Sequence, residues 1–191
     1  MRTRAALIRA AAVEFARRGY AGTAVSAITK VAGVSIGALT FHFDSKSDLA
    51  DAVLAEAHAV VRAVLEEAVT SACSPLAQLD AVVVGLARKL QESDTVRGAA
   101  RLEQERPTAA ESWSRLWYPV MLRLADEACR SGDLPATIRP ERAASVAALF
   151  VRGCGAHLRT RQAAEADGKP AVDDCLDLWA IVQKGLLVQR R

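Results

Sequence analysis

Apolar residues recur every three to four positions along almost the whole chain, and no stretch alternates apolar and polar residues in the manner of paired strands. The pattern predicts an all-α protein. The first helix covers residues 3 to 18, where Leu7, Ile8, Ala11, Ala12 and Phe15 share one face and Gly19 ends the helix as a C-terminal cap. After residues 19 to 22, Thr23 or Ala24 opens a short helix carrying Val25, Ile28 and Val31, which stops at Ala32-Gly33. A second short helix starts from Ser35, a good N-cap, and carries Ile36, Ala38, Leu39 and Phe41 over residues 35 to 41. Two short helices around a glycine turn, behind a longer supporting helix, make the pattern of a helix-turn-helix. Leu39, Phe41 and Phe43 are expected to fill the core of that small unit.

From Lys46, with Ser45 as N-cap, a long helix is predicted to residue 70, its apolar stripe formed by Leu49, Val53, Ala57, Val60, Val61, Val64 and Leu65. Ser74-Pro75 opens another helix to residue 91, because proline is tolerated in a first turn. A weaker helix covers residues 95 to 105, and Pro107-Thr108 breaks the chain. The next helix carries Trp113, Leu116, Trp117, Val120, Met121, Leu124 and Ala128 up to a turn at Ser131-Gly132-Asp133. Two further helices are predicted over residues 140 to 160 and 173 to 190, separated by a polar loop at residues 162 to 172 that is expected to be mobile. The pattern places a helix-turn-helix domain in residues 1–46 and a larger helical domain in residues 47–191.

Charge sharpens this division. The net charge is +3, but residues 1 to 50 hold seven Lys or Arg against three Asp or Glu, a net of +4, so the remainder carries −1. A positive field confined to the first quarter fits phosphate binding by that part. Hydrophobic residues make up 51% of the 191 residues, enough for a sizeable core. No apolar run reaches the roughly 20 residues of a membrane span, so a cytoplasmic protein without a cleaved signal is expected. The four cysteines, Cys73, Cys129, Cys154 and Cys175, lie far apart and suit buried free thiols better than a metal site, and no cofactor is called for. His42, His58 and His157 are scattered, and no phosphate loop or nucleophile motif is present, which argues against an enzyme.

The stretch from Thr23 to Leu49, with Gly33-Val34-Ser35, then Gly37, then Phe41-His42-Phe43, then Ser45-Lys46 and Leu49, resembles the DNA-binding signature of TetR-family repressors. The resemblance covers residues 4 to 55, including Phe15 and Arg18-Gly19-Tyr20. It implies operator DNA contacts at Thr23, Ser35, Ile36, Gly37, Thr40, His42 and Lys46. Ser35, Ile36 and Gly37 would approach base edges from the N-terminal end of the reading helix, and Lys46 would clamp a phosphate. Two positions depart from the family pattern: Ile36 stands where a lysine or polar residue is common, and Thr40 where tyrosine is most frequent. The departures shift expected reading towards thymine methyl groups.

The remaining helices are expected to dimerise and to sense a small molecule. TetR-like proteins pair through their last two long helices, and the resemblance assigns that role to a small-residue surface of Ala143, Ala144, Ala147, Ala148, Gly153 and Gly155, together with Leu176, Trp179, Val182, Leu186 and Leu187. A homodimer then calls for a pseudo-palindromic operator. Trp113, Trp117 and Tyr118 cluster with Met121 and form an aromatic wall for a flat or apolar ligand, with Tyr118, Gln104 or Thr108 to orient its polar groups.

A narrower similarity is to the γ-butyrolactone autoregulator receptors of filamentous actinobacteria. Gly37-Ala38-Leu39 with Phe41-His42-Phe43, the run from Val96 to Leu102, and Trp117 carry it. It implies a lactone-type inducer contacting Trp117, with an antibiotic-intermediate or multidrug sensor as the alternative. An architectural DNA binder without a ligand is the reading from another class, and the large apolar C-terminal part argues against it.

Overall fold

The structure is a computed structural model, and it describes residues 2–71, 74–106, 112–164 and 171–187. Nine helices and no strand are found among the described residues: α1 (Arg2–Gly22), α2 (Val25–Ala32), α3 (Ile36–His42), α4 (Lys46–Ser71), α5 (Pro75–Glu92), α6 (Asp94–Glu105), α7 (Ser114–Ser131), α8 (Pro140–Ala164) and α9 (Ala171–Leu187). The all-α expectation therefore holds. The expected loop at residues 162 to 172 lies partly outside the described residues, as do Cys73 and Thr108.

The chain divides into two compact units. One contains residues 1–60 and 92–113, the other residues 61–91 and 114–191. The unit that holds the helix-turn-helix is thus larger than residues 1–46, because it takes in the first half of α4 and all of α6.

In the first unit α1 is the central post. Leu7, Ile8, Ala11, Ala12 and Phe15 are fully buried, and each large apolar side chain so buried contributes about 1.5–3 kcal/mol. At Gly98 of α6 an added Cβ would lie 2.8 Å from the Ala12 carbonyl oxygen, so α6 lies against the backbone of α1. Gly19, with φ 72° and ψ 177°, interrupts α1 in a conformation open essentially to glycine alone. The predicted stop is therefore a kink, after which one more turn leads to Gly22.

Local chemistry sets the other ends. Ser45 Oγ accepts the Asp48 amide at 3.1 Å, the N-cap expected at the start of α4, and also donates to the Asp48 carboxylate at 2.9 Å. Ser74 Oγ likewise accepts the Ala77 amide at 3.2 Å ahead of Pro75. Ser93 caps α6 through the Val96 amide at 3.3 Å.

In the second unit Trp117, Met121, Leu124, Ala125 and Ala128 of α7 are buried, and α8 packs on both α7 and α9. Trp179 Nε1 and Gln183 Nε2 of α9 both donate to Asp80 Oδ1 of α5 at 2.7 Å. This packing changes the pairing face expected for α8. Ala143, Ala144, Ala147 and Ala148 are buried within the chain itself, and Gly155 faces Leu90, whose nearest methyl would stand 3.7 Å from an added Cβ. Small residues let α8 approach its own neighbours. Trp179 is turned inward too, at 3% exposure, while Leu176 and Val182 are half-buried and the side chains of Leu186 and Leu187 lie outside the described residues. Among the described residues the large outward apolar side chains of α8 and α9 are instead Leu149, Leu178 and Ile181, and Gly153 of α8 is exposed as well.

Cys154 and Cys175 are buried free thiols and Cys129 is half-buried. Beside Cys175, and through burial, the Cys154 thiol is pushed far above the ordinary thiol range, which keeps it protonated and unreactive. No group of metal-ligating side chains occurs among the described residues, and no single helix there is long and apolar enough to cross a membrane.

Candidate functional site

The chain turns by 102° between α2 and α3, within the range of helix-turn-helix pairs. Gly33 makes the turn: its φ of 67° and ψ of 32° are left-handed, and its amide and that of Val34 close onto the carbonyls of Lys30 and Thr29. Ser35 then starts α3, its Oγ accepting the Ala38 amide at 3.1 Å. Leu39 and Phe43 fix the helix on its support, at 3% and 5% exposure. Arg4 of α1 lies over the Phe43 ring, 5.2 Å from its centroid.

The opposite side of α3 faces water and is strongly apolar. Ile36 is 57% exposed and Phe41 83% exposed, with Ser35, Gly37 and Thr40 exposed beside them. Phe41 therefore does not join the core as its apolar character suggests. Its ring meets only the edge of the His42 ring among the described aromatic contacts, at 5.1 Å and 80°. At 3.6 residues per turn it lies about 200° around the helix from Leu39, so the two cannot share a face.

Gly37 is equally informative. An added Cβ there would find only Ser35 Oγ, at 3.8 Å, and its φ is not in the left-handed region, so nothing within the chain requires glycine. The Thr40 hydroxyl donates back to the Gly37 carbonyl at 3.1 Å, leaving its methyl group as the outward feature. His42 is half-buried at the end of the helix.

Two of the expected phosphate anchors have internal work. Thr23 is 2% exposed, and its hydroxyl donates towards the carbonyls of Glu14 and Gly19 at 3.1 and 2.7 Å. Lys46 donates from Nζ to the carbonyls of Tyr20 and Thr23 at 2.9 and 3.1 Å, and its ammonium sits 4.3 Å from the Tyr20 ring centroid. An ammonium has three protons, and these bonds use two of them.

Tyr20 is a hub that sequence reasoning missed. Its amide donates to Glu105 Oε2 at 2.7 Å, the Ala21 amide reaches the same oxygen at 3.3 Å, and Arg106 lies 4.9 Å from its ring. Arg106 also bonds Ser47 at 2.9 Å and Asp51 at 3.1 Å, while Arg101 holds the other Glu105 oxygen at 2.7 Å. Partial burial works against the charged form of Glu105, but the Ala21 and Tyr20 amides and Arg101 outweigh it, so the carboxyl titrates below its ordinary value. Its two amide partners in α1 are 85 and 84 residues away in sequence, beyond any local signal.

The residues nominated for ligand contact differ in their surroundings. Gln104 is exposed on α6, and Trp113, ahead of α7, is buried in the first unit. Trp117 and Met121 are fully buried in the second. Tyr118 lines an open groove of about 560 Å³ between α7 and α8, with Ser114, Arg115, Ser145, Leu149 and Arg152 among its walls.

Comparison with known proteins matches these features. Residues 7–53 fit the family model for bacterial regulatory proteins of the tetR family. The transcriptional regulator TtgR of Pseudomonas putida is 43% identical over 56 residues, which are 29% of this chain and 27% of TtgR. That match spans about a quarter of the curated relative. Solved structures extend the likeness: the TetR family protein CprB of Streptomyces coelicolor is 30% identical with TM-score 0.78, covering 97% of this chain and 89% of that one. CprB in complex with its biological operator sequence matches at 32% identity and TM-score 0.65, over 76% of this chain and 74% of that one. A γ-butyrolactone receptor (ArpA-like protein) is 29% identical with TM-score 0.77, over 97% of this chain and 88% of that one. With reading helix, supporting helices and nearly the full length in agreement, the chain belongs to the TetR family of transcriptional regulators.

Proposed function

We propose that this regulator is a repressor that binds a palindromic operator as a homodimer through α3 and is released by a small molecule. The observation that carries the reading is the outward face of α3, where Ile36, Gly37, Thr40 and Phe41 are exposed although three of them are apolar or carry no polar side chain. A solvent-facing helix with no partner would hold charged or amide side chains there; the floor of a major groove, with its thymine methyl groups, accepts this surface. Ser35 and Lys46 flank it, and the third ammonium proton of Lys46 can serve a phosphate while two hold Tyr20 and Thr23. Leu149, Gly153, Leu178 and Ile181 supply the pairing face of the dimer. Selection of bound duplexes from random sequence tests the reading: a two-fold symmetric consensus is expected, and an asymmetric or absent consensus contradicts it.

The inducer we infer is a γ-butyrolactone-type signal contacting Trp117, supported by the likeness to a γ-butyrolactone receptor over 97% of the chain. Release requires the ligand to favour a conformation in which the two reading helices are wrongly spaced. α4 is the natural lever, because its first residue, Lys46, holds the reading head and its second half belongs to the other unit. Titrating the operator complex with synthetic γ-butyrolactones should dissociate it, and should do so less readily after Trp117→Phe. A complex indifferent to every lactone would remove this part of the reading and leave DNA binding standing.

A further inference from the structure

We propose that α3, placed against operator DNA as in the reading above on which this rests, recognises the C5-methyl group of a pyrimidine whichever base carries it. 5-Methylcytosine in the operator is then accepted in place of thymine.

The outward face of α3 offers carbon and no donor. Ile36, Gly37, Thr40 and Phe41 lie within about 140° of arc at 100° per residue and are all exposed, while Leu39 is buried on the other side. Gly37 brings no side chain, and Ile36 and Phe41 bring only methyl and ring carbon. The Thr40 hydroxyl donates to the Gly37 carbonyl at 3.1 Å, which spends its one proton inside the helix and leaves a methyl group and an acceptor oxygen. From Ile36 to His42 there is no Lys, Arg, Asn or Gln, and His42, the one nitrogen-bearing side chain of α3, is half-buried. The Ser35 hydroxyl, whose oxygen accepts the Ala38 amide at 3.1 Å, keeps its proton but stands ahead of this face.

Thymine shows the major groove an O4 acceptor and a C5-methyl group, and cytosine shows an N4 donor and no methyl. Reading thymine O4, or the N7 and O6 of a guanine, takes a donor, and the four outward residues supply none from their side chains. What they distinguish is the presence of carbon at C5, because a methyl group set against carbon leaves water whichever base carries it. 5-Methylcytosine presents that methyl at the same position of the ring. The Thr40 oxygen, still an acceptor, does not oppose its N4 donor. Cytosine methylation within a half-site therefore tightens binding instead of blocking it.

The test is anisotropy titration of the full chain on its selected operator with single bases exchanged. Replacing thymine by uracil removes the methyl group alone. At one or more positions of each half-site it should weaken binding about fourfold, and about fifteenfold when both half-sites are changed. At the same position a 5-methylcytosine–guanine pair should bind about fourfold more tightly than cytosine–guanine. The thymine–uracil difference should fall below about twofold in at least one of Ile36→Ala, Thr40→Ser and Phe41→Ala, whose exposed positions leave the fold intact. Its persistence in all three variants would place the effect in DNA shape and overturn the proposal. So would a half-site without thymine, uracil duplexes that all bind like thymine, or methylated and plain cytosine bound alike. Each of these outcomes leaves a symmetric consensus, and with it operator binding through α3, standing; an absent or asymmetric consensus removes both.

Discussion

Glu105 accepts the backbone amide of Tyr20 at 2.7 Å, tying the end of α6 to the last turn of α1 across 85 residues of sequence. Because Lys46 holds the Tyr20 carbonyl at 2.9 Å, one peptide segment links α6, α1 and α4, the three helices that frame the helix-turn-helix. Within this unit, whatever moves α6 moves the support of α3.

The bond carries a pH dependence. The Glu105 carboxyl titrates lower in the folded chain than in the unfolded one, so its contribution is complete above the ordinary glutamate value of about 4.3. It is lost as pH falls through the lower folded value. Glu105→Gln should therefore cost about 1 kcal/mol at pH 7, a charge-assisted bond discounted for partial exposure. Denaturant midpoints should show a constant gap between wild type and variant from pH 6 to 8 that narrows only below about pH 4.

Gly19 depends on the same contact. An added Cβ would stand 2.0 Å from Glu105 Oε1, and its φ of 72° with ψ of 177° is unfavourable for any other residue. Gly19→Ala should cost roughly 2–4 kcal/mol, combining backbone strain with the displaced carboxylate. In Gly19→Ala with Glu105→Ala the two costs should fall short of additive, since the collision is then gone. Thermal unfolding of the four variants of this cycle measures the difference.

Phe41 and Leu39 should separate folding from binding. Leu39→Ala opens the core of the unit and should cost about 2–4 kcal/mol. Phe41→Ala removes a side chain that is 83% exposed, so stability should stay within about 0.5 kcal/mol while affinity for the selected operator falls about tenfold. Chemical denaturation and anisotropy titration on the same preparations check both values.

Ile36 tests the charge of the reading surface. Ile36→Lys should raise affinity for DNA of any sequence and steepen its salt dependence by about one counterion per protomer, as an added phosphate contact does. Preference for the selected operator over unrelated DNA should fall at the same time, because the apolar contact of Ile36 with the groove floor is lost. Gel-shift titrations at several salt concentrations give the slope.

How much of this is legible in the sequence follows from where the determinants lie. The helix-turn-helix is specified by neighbours in sequence, the Gly33 turn and the Ser35 and Ser45 caps, and it reads directly. Phe41 is misplaced when apolar character is read ahead of angle, although its position opposite Leu39 is already fixed by the helical period. The α8 alanines suggest a partner because small residues permit close approach without saying to what; here α7 and α9 of the same chain supply it. The Tyr20 hub cannot be read at all, since Glu105 and Arg106 reach it only once α6 packs on α1.

The most direct test concerns Gly37, where the chain itself leaves room for a side chain. Gly37→Ala should hold or raise stability by up to about 1 kcal/mol, because alanine favours the helix. The same methyl group would stand between α3 and the DNA. Anisotropy titration of wild type and Gly37→Ala on the selected palindrome should then show at least a tenfold loss of affinity in a protein no less stable. Unchanged affinity in the stable variant would contradict the placement of this face against operator DNA.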